Sequence, residues 1–226
     1  MKKSKLLSVC LSVLMAVLTI TAAVAVPLLC RPFYYAHIQP LGLGKELGLP
    51  QEAVIRAYDE VMDYCLGQTD RFSAGIFPFS EEGSAHFADV RKLFLLDLAA
   101  VGSCLTVLLL LVLICKRKQW VPYRFAGHGP GFWSATGVGS LLGAVGVFAA
   151  VDFERAFVLF HGLFFPGKEN WLFSIYQDPV ILILPEEFFR NCAILILALV
   201  LVWCTVLVAA DLINGKRIRS YNTRKR

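Results

Sequence analysis

Four blocks of this chain carry almost no charge, and each is long enough to cross a bilayer. "LLSVCLSVLMAVLTITAAVAVPLL" runs from Leu6 to Leu29, and "LAAVGSCLTVLLLLVLIC" from Leu98 to Cys115, reaching back through Asp97 to Leu93. "FWSATGVGSLLGAVGVFAAV" covers Phe132 to Val151, and "CAILILALVLVWCTVLVAA" covers Cys192 to Ala210. At about 1.5 Å rise per residue, a helix of roughly 20 residues matches a hydrocarbon core of about 30 Å. A chain that is 57% hydrophobic and only 17% charged, with its apolar residues in such blocks, is not a set of soluble domains. The expected fold is an all-α integral membrane protein with four transmembrane helices and a small extracytoplasmic cap. The first block follows the positive start "MKKSK", but it is longer than the apolar core of a cleaved signal, so an uncleaved anchor is expected.

Charge sets the orientation. With four spans, "MKKSK", "KRKQWVPYRFAGHGPG" and "KRIRSYNTRKR" lie on one side of the membrane, and they hold 13 of the 22 Lys and Arg. Sixteen of the 17 Asp and Glu lie on the other side or at its boundary, and Asp211 is the exception. An excess of positive charge in short cytoplasmic segments places both termini in the cytoplasm. The net charge of +5 then needs no nucleic acid, because basic segments beside spans suit anionic lipid. The layout that follows is a first span at 1–30, an extracytoplasmic cap at 31–92 and a second span at 93–115. A cytoplasmic loop at 116–131, a third span at 132–151 and an extracytoplasmic aromatic loop at 152–187 come next. A fourth span at 188–210 and a basic tail at 211–226 complete it.

Seven cysteines without paired spacing read as small apolar filler; only Cys30 and Cys65 are placed to form an external disulfide, and nothing demands one. In the cap, "LPQEAVIRAYDEVMDYCLG" predicts a helix with Pro50 in its first turn and Gly67 just past its end. Val54, Tyr58, Val61 and Cys65 mark its buried face, and Glu52 and Arg56 make a pair four apart. "AGIFPFS" reads as an extended or turn segment. Gly137, Gly139, Gly143 and Gly146 crowd the third span and predict close helix approach rather than a dinucleotide loop.

Two histidines stand out on the outer side. His86 lies in "SEEGSAHFADVRKLF", a helix entering the membrane that Ser80 can cap and whose positive end Glu81 and Glu82 suit. Glu82, His86 and Asp89 share one face of it. His161 lies in "FVLFHGLFFPGKENWLF", and if the third helix continues outward, Phe153, Phe157, His161 and Phe164 form one stripe. His37 has no helix or acid pattern around it, and His128 falls on the cytoplasmic side. Each outer histidine alone fits an interfacial boundary residue as well as a site, with the aromatics as a belt. There is no "GxSxG" elbow and no "HExxH" helix, and a metal would need a third ligand from Asp89, Asp178 or Glu186. Charges inside the spans are nearly absent, Asp97 excepted, which speaks against an ion pathway. "VILIL" is too short to span; it predicts a segment that dips into the interface or packs under the cap. Pro185, Glu186 and Glu187 then begin the fourth helix.

"AHFADVRKLF", "FHGLFFPGKENWLF" and "DPVILILPEEFF" together resemble the bacterial lipoprotein intramolecular transacylases, the Lit family, and the likeness extends to four spans with an external cap. The resemblance implies a cofactor-free membrane acyltransferase of the bacterial cell membrane. Its substrate is a diacylglyceryl-modified lipoprotein, and it moves the sn-2 acyl chain to the α-amino group of that molecule's N-terminal cysteine, giving the lyso-form. It also implies that the catalytic pair is His86 and His161. Glu82, Asp89, Arg91, Phe157, Phe160, Phe164, Phe165, Trp171 and Asp178 are the expected supporting or substrate-pocket residues. Asp89 is expected to orient His86, Trp171 to shape the pocket, Asp178 to fix the loop, and Arg91 or a backbone N–H to face an oxyanion. Two rival readings are a membrane metalloenzyme using the same histidines and a non-catalytic membrane adaptor.

Overall fold

The computed structural model describes residues 2–45 and 47–224, with side chains as far as Lys216, so the basic side chains of the tail beyond it lie outside the described residues. Strand β1 (Lys2–Ser4) leads into α1 (Lys5–Leu29) and the short α2 (Arg31–Ile38). Helices α3 (Gln51–Cys65) and α4 (Glu81–Lys118) follow, then β2 (Trp120–Pro122), α5 (Pro130–Val151), α6 (Phe153–Phe164), a 3₁₀ turn (Pro179–Ile183) and α7 (Glu186–Arg224). Helices α1, α4, α5 and α7 are the four long and apolar enough to cross a membrane. They leave Leu109, Leu110, Val112, Leu113, Val145, Val147 and Val202 exposed, which water would penalise and lipid would not. The protein is therefore a mostly helical, membrane-integral chain.

The chain divides into two compact units. One contains Met1–Ala23, Ala99–Gly146 and Leu197–Arg226. Here β1 pairs in parallel with β2, a small exception to the all-helical expectation, and Ser8 donates to the Tyr123 carbonyl at 2.7 Å. Asp211, the acid of the basic side, is not a lone charge: it accepts from the Gly129 N–H and from His128 Nδ1, both at 2.9 Å, and pairs with Arg124 at 2.9 Å. The glycines of α5 divide in function. A Cβ at Gly146 would come within 2.5 Å of Leu197, so close approach holds there. Gly137 and Gly143 face open space and make no such contact.

The other unit contains Val24–Leu98 and Val147–Ile196 and holds a compact apolar core. Helix α3 buries Val54, Tyr58, Val61 and Cys65 as its spacing predicts, with Pro50 as N-cap and Gly67 at φ +75° just past its end. Its exposed pairing differs: Arg56 binds Glu60 at 2.9 Å, not Glu52, because Glu60 is also fixed by the Gly75 N–H. His37 is helical after all. Pro32 in the first turn of α2 starts that helix, and the His37 ring packs on Phe33 and Phe188. Tyr34 stacks on Tyr58 at 3.6 Å and donates to the Ile183 carbonyl, so the core ties α2 and α3 to the "VILIL" turn. Val180 and Ile183 are buried in that core, which is the packed alternative for this segment. Cys65 is buried and Cys30 exposed, and both thiols are free. Asp97 Oδ2 is buried with no hydrogen-bond partner.

Candidate active site

Helix α4 presents His86 from a well-anchored start. Ser80 Oγ accepts from the Gly83 N–H at 2.9 Å, the expected cap, and Glu81 and Glu82 sit in the first turn with Lys116, Arg117 and Lys118 in the last. Asp178, only 3% exposed, accepts from the Ser80 N–H and from Ser80 Oγ, both at 2.8 Å. A Cβ at Gly83 would fall 2.1 Å from Asp178 Oδ1, so only glycine lets the aromatic loop lie this close to α4. Asp178 fixes the loop to the helix start.

His161 arrives differently from the continuous stripe expected. Helix α5 stops at Val151, and Asp152, with extended backbone and its side chain accepting from the Arg155 N–H at 2.9 Å, caps a separate helix α6. A capping Asp favours a new helix start over continuation. His161 is the buried residue of α6, 7% exposed, whereas Leu159, Phe160, Leu163 and Phe164 point outward.

The two imidazoles meet. Their ring centroids are 5.9 Å apart, and His86 is 5% exposed. Phe165 touches both rings, at 5.0 Å from His86 and 5.7 Å from His161. Trp171 stacks on His161 at 4.4 Å, Phe157 lies at 4.2 Å and Phe160 at 5.5 Å. Phe164 does not touch either imidazole; it packs on Phe160 at 4.6 Å.

Hydrogen bonding distinguishes the rings. His161 Nδ1 lies 2.8 Å from the Phe157 carbonyl, which can only accept, so Nδ1 carries the proton and Nε2 keeps its lone pair in the neutral ring. His86 Nδ1 is buried with no partner. Burial pushes His161 below the ordinary histidine value, against the opposing pull of the Phe157 carbonyl. Burial, then the charge of a protonated His161, pushes His86 down to about 4, with Asp89 and Asn170 pulling the other way. Both rings are therefore neutral near neutral pH.

Three expected members fall elsewhere. Glu82 is exposed on the first turn of α4 and makes no hydrogen bond or ion pair among the described residues. Asp89 does not bond His86; its carboxylate is taken by Lys92 at 3.1 Å and by Lys168, because two flexible cations reach it while the imidazole is held in aromatic packing. Burial alone would raise the Asp89 pKa, and these two lysines outweigh it and hold the carboxyl below its usual range. Arg91 turns to the cap, donating to the Thr69 carbonyl at 2.7 Å and lying over the Tyr64 ring at 4.8 Å. It is spent on structure rather than free for an oxyanion.

The structure adds residues that the sequence pattern passed over. Phe173 lies 5.4 Å from the His86 ring. Lys168 joins the loop to α4 through Asp89, and Asn170 acts on His86 while its own Oδ1 is buried without a partner. All three sit in the irregular segment after α6, where no periodicity says which side chains turn inward. Among the described residues no group of three His, Cys, Asp or Glu is placed to hold a metal ion.

Comparison with known proteins gives this site a context. The family model for the lipoprotein intramolecular transacylase Lit matches residues 8–189. No curated protein matches the chain significantly. Among solved structures, the in meso structure of the membrane-integral lipoprotein intramolecular transacylase Lit from Bacillus cereus superimposes with a TM-score of 0.83 at 23% identity, covering 95% of this chain and 97% of that one. A structure of the same enzyme with a histidine-to-arginine substitution gives 0.77 at 22% identity over 96% and 93%. A histidine-to-alanine form gives 0.77 at 22% identity over 95% and 94%. At this identity the structures establish the fold, and the family model establishes the relationship: this membrane-integral acyltransferase belongs to the lipoprotein intramolecular transacylase Lit family.

Proposed function

We propose that the chain takes a diacylglyceryl-modified lipoprotein and moves the sn-2 acyl chain to the α-amino group of the N-terminal cysteine of that same molecule. The product is the lyso-form, and His86 and His161 do the proton chemistry. The observation that carries this reading is the convergence of two sequence-remote imidazoles, 5.9 Å apart, inside an aromatic enclosure. In the step, a C–N bond forms between the neutral amine and the ester carbonyl, and the ester C–O bond breaks. His161 Nε2 takes the proton lost by the amine, and a proton goes to the departing glyceryl oxygen by way of His86. Since both rings start neutral, no proton is gained or lost overall: the one removed from nitrogen is matched by the one placed on oxygen.

Placement supplies much of the rate. Nucleophile and ester share a molecule, and well-oriented intramolecular reactions gain about 7–11 kcal/mol over their separated counterparts. Phe157, Phe165, Phe173 and Trp171 exclude water, which would otherwise hydrolyse the ester. His86 Nδ1 and Asn170 Oδ1 are both buried without a close partner, and Asn170 already acts on the His86 ring, so these two polar atoms are open to a contact with the substrate. The site works at the outer membrane–water boundary of the bacterial cell membrane, with both termini in the cytoplasm and the cap outside. The outward apolar face of α6 supports this placement, since Leu159, Leu163 and Phe164 suit lipid.

The test is co-expression with a diacylated lipoprotein in cells lacking any N-acylating enzyme, followed by fragmentation of its N-terminal peptide. The expected spectrum has one acyl group on nitrogen and one on glycerol. A peptide with a free amine and both acyl groups on glycerol, from cells containing the inserted protein, contradicts the proposal.

A further inference from the structure

The unit carrying the N-terminus has a second feature that the acyl transfer does not use. A groove of about 350 Å³ opens between the first turns of α1 and the last turns of α4, beside β2. Its walls include Leu11, Leu111 and Val112, with Trp120 beside them, and its polar members are Lys116 and Gln119. The parallel pairing of β1 with β2 sets Lys2 opposite Trp120 and Lys3 opposite Val121, so two more cations are carried on the strand alongside. Lys2, Lys3, Lys116, Arg117 and Lys118 are all exposed, and none forms an ion pair among the described residues.

Among the described residues of this unit no acid is left to pair with them. Asp211 is the sole acid of this unit's sequence, and its two oxygens are already occupied by Arg124, His128 and the Gly129 N–H. An apolar slot in the membrane-spanning part of α4 thus runs directly into uncompensated positive charge where that apolar stretch ends, at Cys115 and Lys116. Trp120 at the same level is the side chain that favours the headgroup boundary. The one abundant molecule with an apolar chain on one side and a negative charge at that depth is an anionic phospholipid.

We propose that this groove binds one anionic phospholipid of the phosphatidylglycerol class. One acyl chain lies along Leu11, Leu111 and Val112, and the phosphodiester meets Lys116, with Lys2 and Lys3 beside it. The apolar wall distinguishes this from a site for free phosphate, and the lysines distinguish it from a seam filled by any bulk lipid. The inference is independent of the catalytic assignment, because none of its residues belongs to the histidine site.

The test is native mass spectrometry of the purified full chain in detergent, titrated with an equimolar mixture of phosphatidylglycerol and phosphatidylcholine of the same acyl composition. The expected result is one phosphatidylglycerol retained per chain in preference to phosphatidylcholine. Lys116→Gln cuts that preference about fivefold, the factor one lysine beside an anionic headgroup is worth, and Lys216→Gln, elsewhere in the same unit, leaves it unchanged. Val112→Trp, which fills the groove with every charge intact, abolishes retention. Leu111→Phe is the milder filling variant if Val112→Trp does not give a monodisperse protein. Equal retention of both lipids overturns the proposal. So does equal loss in Lys116→Gln and Lys216→Gln, full retention in a folded groove-filling variant, or displacement of the lipid by inorganic phosphate.

Discussion

His161 donates through Nδ1 to the Phe157 carbonyl, and that bond decides which of its nitrogens is left for a substrate. The residue four positions earlier on α6 both holds the ring and packs against it at 4.2 Å, so the helix itself orients the imidazole. The pH dependence follows from burial. An imidazole with a lowered pKa stays neutral, and so able to accept a proton, until the pH falls through that lowered value; for His86 this is about 4. The substrate's α-amine works in the other direction, becoming nucleophilic as the pH rises through about 8. The rate measured on a diacylated lipopeptide is therefore expected to climb with pH up to about 8, with no separate limb near the ordinary histidine value of about 6.5. A limb at that value would show that a solvent-like histidine controls the step. The two histidines were legible in the sequence because each stands beside a span within a distinctive run. Lys168, Asn170 and Phe173 were not, since they lie in a loop whose inward side chains are chosen by tertiary packing. Glu82 and Asp89 misled for a related reason: a shared helix face says that residues are neighbours, not that they bond.

At the scale of elements, two helices and a loop bring the pair together, and the contact between α4 and the aromatic loop is the most demanding. Asp178 reaches Ser80 through the space left by the missing side chain of Gly83. Gly83→Ala is expected to push Asp178 out of that contact and to lower the melting temperature in detergent. Asp178→Ala should cost about 1–3 kcal/mol by leaving the half-buried Ser80 N–H and hydroxyl without their acceptor. Both variants should lose more acyl transfer than fold, and a Gly83→Ala protein with unchanged melting temperature and turnover would refute this account of the loop. Helix positions were readable wherever periodicity or capping was strong, as in α3 and at Ser80. The break at Asp152 was less visible, because the charged cluster of Asp152, Glu154 and Arg155 between two apolar runs reads equally as a membrane boundary and as a helix start. Helix α2 was hidden by its brevity: eight residues rich in aromatics show too little period to separate from a belt.

The fold brings His86 and His161, from distant parts of the sequence, to one place. Membrane insertion was plain from length and apolarity alone, since few other arrangements accommodate four such helices. Sidedness rests on the distribution of Lys and Arg, and it predicts a labelling pattern. In a Cys30→Ala background, Tyr176→Cys, at a position 89% exposed, is expected to react with a membrane-impermeant maleimide in intact cells. Lys118→Cys is expected to react only after lysis, and the reverse pattern would invert the topology. Convergence of the imidazoles is itself a property of the fold, so their effects should not add. The most direct test measures acyl transfer by wild type, His86→Asn, His161→Asn and the double variant on a diacylated lipoprotein in the same vesicles. Each single variant is predicted to fall about 10²–10⁴-fold with the protein still folded, and the double variant to fall little further. Near-wild-type transfer in either single variant, or losses that multiply in the double, would contradict a pair acting as one.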